Sequence, residues 1–405
     1  VDWDQIQRGV DLFITYSPAA SQGLYYFALV PGFSIPKIAK VLEQTRYLCP
    51  PSTADQVIVR LKDTGGFIAN VMLPDGTGRS AGSLRPGGKG WTLALQVRTL
   101  HAKVRRSILR RNRKAQKGGR STWNVEEYGI PINQEDLAAT LLAFSVNVLT
   151  TIEFMLGQPL PVNEQLDYLA LWRYIGWLLG VDSPEAVSKQ CKTQYLDPCG
   201  RRMDDSLNEC PLIHSRACLE SIIIHLMHPN ESSVKISHHL LNIGGHQTHF
   251  SEKGKKKKSS KKKDQSHISF GFLYRAYMCR RYIGDPLADA LKFPSRDGSF
   301  RSLFADTLGF LILLFLRVYT LLTIKSIIFR KRAYRRHLKL MESFDRSWTE
   351  RHGQRMQKAA SDAMGGRKQE ISDNPSQSAP CPFGLVMPAM DTNDGMDTCP
   401  HHKEE

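Results

Sequence analysis

Gln96-Val-Arg-Thr-Leu-His-Ala-Lys-Val-Arg-Arg106 is the stretch on which the reading of the chain turns. Residues advance about 100° each around an α-helix, so Val97, Leu100, Val104 and Ile108 share one narrow apolar sector. His101 lies about 20° beyond the edge of that sector, and Arg98 and Arg105 lie farther round the same side. The spacing predicts a long helix from Trp91 to a stop at Gly118-Gly119, with a histidine at the border of its buried and charged faces. A histidine in that position suits a basic surface or a nucleic-acid contact. It also suits an iron site, where one ring nitrogen ligates while the other donates to an acceptor. The stretch alone leaves these roles open.

The segments around it are also helical in pattern. Pro36 to Glu43 suits a helix with Ser34 as its cap and Pro36 in the first turn, where a missing N–H costs nothing. Gln56 to Met72 predicts another, weakened at Gly65-Gly66. Pro74 to Gly78 and Pro86 to Gly90 are turns, without the Gly-Lys-Ser/Thr ending of a phosphate-binding loop. Asn133 is placed to cap an apolar helix over Leu137 to Thr151, with Asp136 in its first turn. Further helices are expected at Val162 to Val181, Ala217 to Met227, Ser232 to Ile243 and Ser269 to Arg281. No sustained alternation competes with them, so the fold class is all-α, leaving room only for small hairpins.

The 405 residues, 41% of them apolar, suffice for a large core and argue against a wholly disordered chain. A net charge of +16 favours anionic partners, whether acidic lipid, acidic small molecules or nucleic acid. Lys253 to Lys263 is a run of like charge expected to form an exposed loop. Such runs attract phosphate nonspecifically, and no nucleic-acid reader motif accompanies them, so no specific nucleic-acid partner is expected. The eight cysteines include no Cys-x-x-Cys or Cys-x-x-Cys-His, and Cys191, Cys199, Cys210 and Cys218 are too irregularly spaced for a structural zinc site. They are read as unlinked thiols. His225/His228 and His238-His239 lack the His-Glu-x-x-His order and are read as structural. Asp204-Asp205 and Glu126-Glu127 are adjacent pairs rather than a separated acid–base dyad.

Thr307 to Leu316, continued past Arg317 to Phe329, is the most apolar region. Its uninterrupted part is shorter than the roughly 20 residues of a spanning helix, and Arg317 and Lys325 are costly in lipid. A protein-buried or interfacial helix is favoured over a simple span. Arg330 to Arg336 then offers a basic face to anionic head groups.

Arg98-x-x-His101-Ala102-x-Val104-Arg105 resembles the heme-binding helix of the rubber oxygenase catalytic-domain family. That family includes bacterial latex-clearing proteins and fungal ER-bound oxygenases related to the mycophenolic-acid pathway enzyme. Similar stretches occur at Gly32-Phe33 with Lys40 to Leu48, at Arg60-x-x-x-Thr64, at Asn133-x-x-Asp136 through Thr140 and Phe144, and at Trp172 to Gly176 before Leu179-Gly180-Val181. Together they cover roughly residues 25 to 330. The resemblance implies a globin-like helical fold around noncovalent heme b, with additional C-terminal hydrophobic and basic helices.

His101 would be the proximal iron ligand, and Arg98 and Arg105 would bind the cofactor's acidic edge. Arg60 and Thr64 align with a distal pair that in the latex enzymes accompanies a lysine; here Asp63 precedes Thr64 and the lysine falls one earlier, at Lys62. Arg60, Asp63 and Thr64 are the catalytic candidates, while Phe144, Trp172 and Leu179 are candidate pocket walls. The chemistry implied is dioxygen activation and oxidative cleavage of a carbon–carbon double bond in a hydrophobic, isoprenoid-type substrate, in the endoplasmic reticulum or another endomembrane. Residues 25–345, including a basic 251–266 loop, would form the oxygenase domain. Residues 1–24 extend it in a chain read as a fragment or processed product, and 346–405 would be mostly disordered. The competing reading is a non-catalytic helical protein that binds acidic membrane surfaces.

Overall fold

The computed structural model describes residues 1–45, 48, 52–181, 211–243 and 268–365. The lysine run, Cys49, Cys191, Cys199, Cys210, Asp204-Asp205 and the chain beyond Gly365 lie outside these residues. Val1–Trp348 forms one compact unit, and a second begins at Thr349. Every element among the described residues is helical, an all-α arrangement consistent with a globin-like fold carrying extra C-terminal helices.

In chain order the helices are α1 (Trp3–Thr15), α2 (Ser17–Gln22), a π-helical segment (Gly23–Leu29), α3 (Val30–Gly32), α4 (Pro36–Thr45), α5 (Ala54–Met72) and α6 (Lys89–Lys117). Then come α7 (Val125–Tyr128), α8 (Gln134–Phe144), α9 (Val146–Leu156), α10 (Val162–Leu179), α11 (Pro211–Leu226) and α12 (Glu231–Leu241). The chain continues through α13 (Phe270–Ile283), α14 (Asp285–Ala290), α15 (Phe300–Lys325) and α16 (Ile327–Gly365).

Two packed layers position the rest. In one, α1 lies along α10 because Gly9 presents no side chain: a Cβ there would stand 2.5 Å from the Asp167 carbonyl oxygen. Phe13 stacks on Tyr168 at 6.4 Å, and Arg8 Nε donates to Asp167 at 2.8 Å. α6 packs on the same α10. In the other layer, Tyr26 and Val30 join Ile236, Leu240, Ala276 and Cys279 in a core shared by the π-helical segment, α12 and α13. Burial of such side chains contributes about 1.5–3 kcal/mol each, so these two seams dominate the stability of the unit.

Two local expectations are corrected and a third is sharpened. Ser34 does not cap α4: its Oγ is buried without a hydrogen bond, and the first turn closes through Ala39 N–H to the Ile35 carbonyl instead. The predicted helix over 137–151 is two helices that meet at Ser145, whose hydroxyl donates to the Leu141 carbonyl at 2.9 Å and whose ψ is −78°. Gly65-Gly66 does not interrupt α5, and the Asn70 amide donates to the Gly66 carbonyl at 2.7 Å across it.

α15 also departs from one of its two expected settings. Its buried positions are Ser302, Ala305, Gly309, Thr320 and Thr323, whereas Phe304, Phe310, Leu311, Leu314, Phe315 and Val318 face outward. It is a helix with its small and hydroxyl-bearing residues inside and its large apolar residues outside. Among the described residues the helix is mostly exposed, so the protein-buried alternative does not hold, although Phe304 still touches Phe270 and Leu313 packs on the core beside α13.

Candidate functional site

α6 is built from strong helix formers and starts at Gly88 in extended geometry. Its N-terminus is fastened to the end of α5 by Ser83, whose Oγ donates to the Asn70 carbonyl at 2.6 Å and accepts from Gly90 N–H at 2.9 Å. Only glycine fits at position 90, since a Cβ would stand 2.9 Å from that same carbonyl oxygen. At the opposite end of α6, Arg111 Nη1 donates to the Gln44 carbonyl at 3.0 Å. α5 and α6 thus form a hairpin that leaves its clasp at Asn70 and Gly90 in one direction. At about 1.5 Å per residue, His101 and Arg60 both lie about 15 Å from that clasp.

The predicted stripe is the packing face. Val104 and Ile108 are buried against Trp123, with Leu100, Tyr128 and Ile132 around them. Asn112, 3% exposed, anchors the underlying loop by accepting Thr122 N–H at 2.9 Å and Trp123 N–H at 3.0 Å. No sequence pattern marked Asn112. Asn112→Ala should lower stability by about 2 kcal/mol, because two backbone donors, the buried Trp123 N–H among them, lose their acceptor. Urea unfolding checks this, and an unchanged midpoint would show that water replaces the amide.

His101 sits on the border of that face, as the helix geometry requires. Its Nδ1 is buried and has no hydrogen-bond partner among the described residues. Burial, and secondarily the Arg105 guanidinium, pushes its pKa down from 6.5 to about 4, so the imidazole is neutral near pH 7. A neutral, orphaned ring nitrogen fits the donor a heme iron takes.

The flanking arginines separate in role. Arg98 is exposed, lies beside Gly180 at the C-terminus of α10, and has no ion pair among the described residues. It fits the acidic edge of a cofactor. Arg105 instead donates its Nε to the Pro131 carbonyl at 3.0 Å and its terminal nitrogen to that of Ile132, which has a positive φ of 55°. It ties the turn before α8 to α6.

On α5, Asp63 is 2% exposed, whereas Lys62 is exposed and Arg60 half-buried. Thr64 Oγ1 donates to the Arg60 carbonyl at 3.2 Å, so its proton is held within its own helix. The buried charge-bearing side chain of this stretch is a carboxylate, and the lysine faces away.

Asn133-x-x-Asp136 proves to be a reciprocal capping box: Asn133 accepts from Asp136 N–H at 3.0 Å, and Asp136 accepts from Asn133 N–H at 3.1 Å. Phe144 and Trp172 stack on each other at 5.1 Å, and Leu179 ends α10. His238 bonds the Leu291 carbonyl at 2.9 Å between two phenylalanine rings, and His239 contacts Ser52 Oγ at 3.2 Å, so the adjacent histidines do point apart. Two cavities, of about 370 and about 530 Å³, lie elsewhere and include neither His101 nor Asp63 in their walls.

The fold and site define an all-α protein with a neutral histidine, its Nδ1 buried, bordered by arginine on a long helix. Residues 41–209 match the family described as ER-bound oxygenase mpaB/B'/Rubber oxygenase, catalytic domain. The match is narrower than the 25 to 330 expected from sequence patches, but it contains Arg60, Asp63, Thr64, Arg98, His101 and Arg105. No match was found among curated proteins or among solved structures.

Proposed function

We propose that the chain is a heme-dependent oxygenase that cleaves a carbon–carbon double bond in a hydrophobic, isoprenoid-type substrate. The observation that carries this reading is His101, a neutral imidazole whose buried Nδ1 has no partner among the described residues, in the region that matches an oxygenase catalytic domain. Bound heme b would supply the dioxygen and electron chemistry. His101 would hold the iron through its unprotonated nitrogen, with the adjacent Arg105 charge disfavouring imidazolium. Arg98 would pair with a propionate, and Arg105 would fix the rotation of α6 through the 131–132 carbonyls. Asp63 would hold a proton or orient water on the α5 side, with Arg60 beside it and Thr64 offering only oxygen lone pairs.

Partnership with an endomembrane fits the same reading. The outward face of α15 and the exposed Lys331, Arg332, Arg335 and Arg336 of α16 combine an apolar surface with cations suited to anionic head groups. The same face supports the second reading, a non-catalytic membrane-surface protein. Purified protein given a short polyprenyl probe under ¹⁸O₂ should yield chain-shortened carbonyl products carrying the label. Heme-loaded protein that yields no cleaved product from any polyprenyl probe would favour the second reading.

A further inference from the structure

We propose that the cavity between α9, α13 and α15 binds a single long-chain fatty acid, with its carboxylate at Arg281 and Arg317 and its chain along the apolar wall. The cavity holds about 370 Å³, and Met155, Phe310, Leu313 and Leu314 supply its apolar lining. That volume lies at the small end of ligand pockets, about 300–1,000 Å³, which suits one chain rather than a two-chain lipid.

The charges around it do not balance. Asp306 is shared by two guanidinium groups, accepting from Arg281 at 2.7 Å and facing Arg296 at 3.2 Å. Arg317 has no ion pair among the described residues, so of the two guanidinium groups that line the cavity one is paired, with Asp306, and the other is not. Arg281 Nε is buried without an acceptor among the described residues, and its guanidinium lies 5.8 Å from the centre of the Phe310 ring. Arg317 is admitted by Gly157, the C-cap of α9, where φ is +69° and a Cβ would stand 2.5 Å from Nη2. The end of α9 favours a cation there, which keeps the guanidinium at the cavity.

Unsatisfied cationic donors beside an apolar wall match an amphiphile with an oxyanion head. The outer face of α15 carries Leu311, Phe315 and Val318, so a chain dissolved in a bilayer reaches the cavity without crossing water. This inference goes beyond the heme reading and involves none of its residues.

Oleate below its micellar concentration, titrated into the purified full chain by calorimetry, should bind at one site. Oleyl alcohol should bind about tenfold more weakly, the size of one lost charge-assisted hydrogen bond. Arg317→Gln should weaken oleate about tenfold and leave the alcohol unchanged. Leu313→Trp should abolish both by filling the cavity, and His101→Ala should change neither. Equal binding of acid and alcohol, unchanged oleate binding in a folded Arg317→Gln variant, or loss in His101→Ala would each overturn the proposal. Phosphatidylglycerol displacing oleate at equal concentration would overturn it in favour of a phospholipid site.

Discussion

His101→Ala should strip the purified protein of heme, reducing occupancy at least about tenfold, since losing even a residue that only supports a metal ligand costs about 10–100-fold. Helicity should remain. The ring contributes no hydrogen bond through Nδ1, and the seam that holds α6 runs instead through Val104, Ile108 and Trp123. Pyridine hemochrome content together with far-ultraviolet circular dichroism reads both quantities. Full heme retention with an unchanged absorption spectrum would remove His101 from the iron. A collapse of helicity would instead assign it a packing role that its border position does not suggest. Arg98→Ala should weaken heme retention more gently, because an exposed cation at a propionate is partly replaced by water and salt.

Leu311→Glu with Phe315→Glu should detach the protein from vesicles of mixed neutral and anionic lipid. Both side chains point outward from α15, at 54% and 66% exposure, so neither holds the fold together. Lipid burial of each contributes about 1.5–3 kcal/mol, and the pair therefore predicts a fall in partitioning of about two orders of magnitude or more. High salt should weaken wild-type binding only in part, since it screens Lys331, Arg332, Arg335 and Arg336 but leaves the apolar term. Co-flotation measures the effect. Equal flotation of variant and wild type would show that another surface meets the lipid.

The legible parts of this protein were those set by local periodicity. The α6 stripe, the border position of His101 and the Asn133 cap all follow from side chains within a few residues of one another. What escaped the sequence depended on distant partners. The bonds from Arg105 to the carbonyls of Pro131 and Ile132 form only when the chain returns in the turn before α8. Asn112 reads as a polar residue in a basic helix until the 121–123 loop closes on it.

α15 shows a different kind of miss. Its average hydrophobicity suggested burial, yet the small residues at 302, 305, 309, 320 and 323 already marked one packing face and left the large apolar residues for the other. The periodicity of residue size, rather than of polarity, was the signal. The Asn133-x-x-Asp136 pattern teaches the reverse lesson, since a stretch shared with a catalytic family serves here to start a helix.

The central claim is that His101 holds heme iron in an oxygenase domain. Its most direct test is the absorption spectrum of the purified full chain, oxidised, reduced and carbon-monoxide-bound, with heme quantified against protein. One heme per chain is expected, with a Soret band that shifts on reduction and again on carbon monoxide and that is lost in His101→Ala. Protein that remains free of heme after reconstitution, or a variant whose spectra match the wild type in all three states, would contradict it.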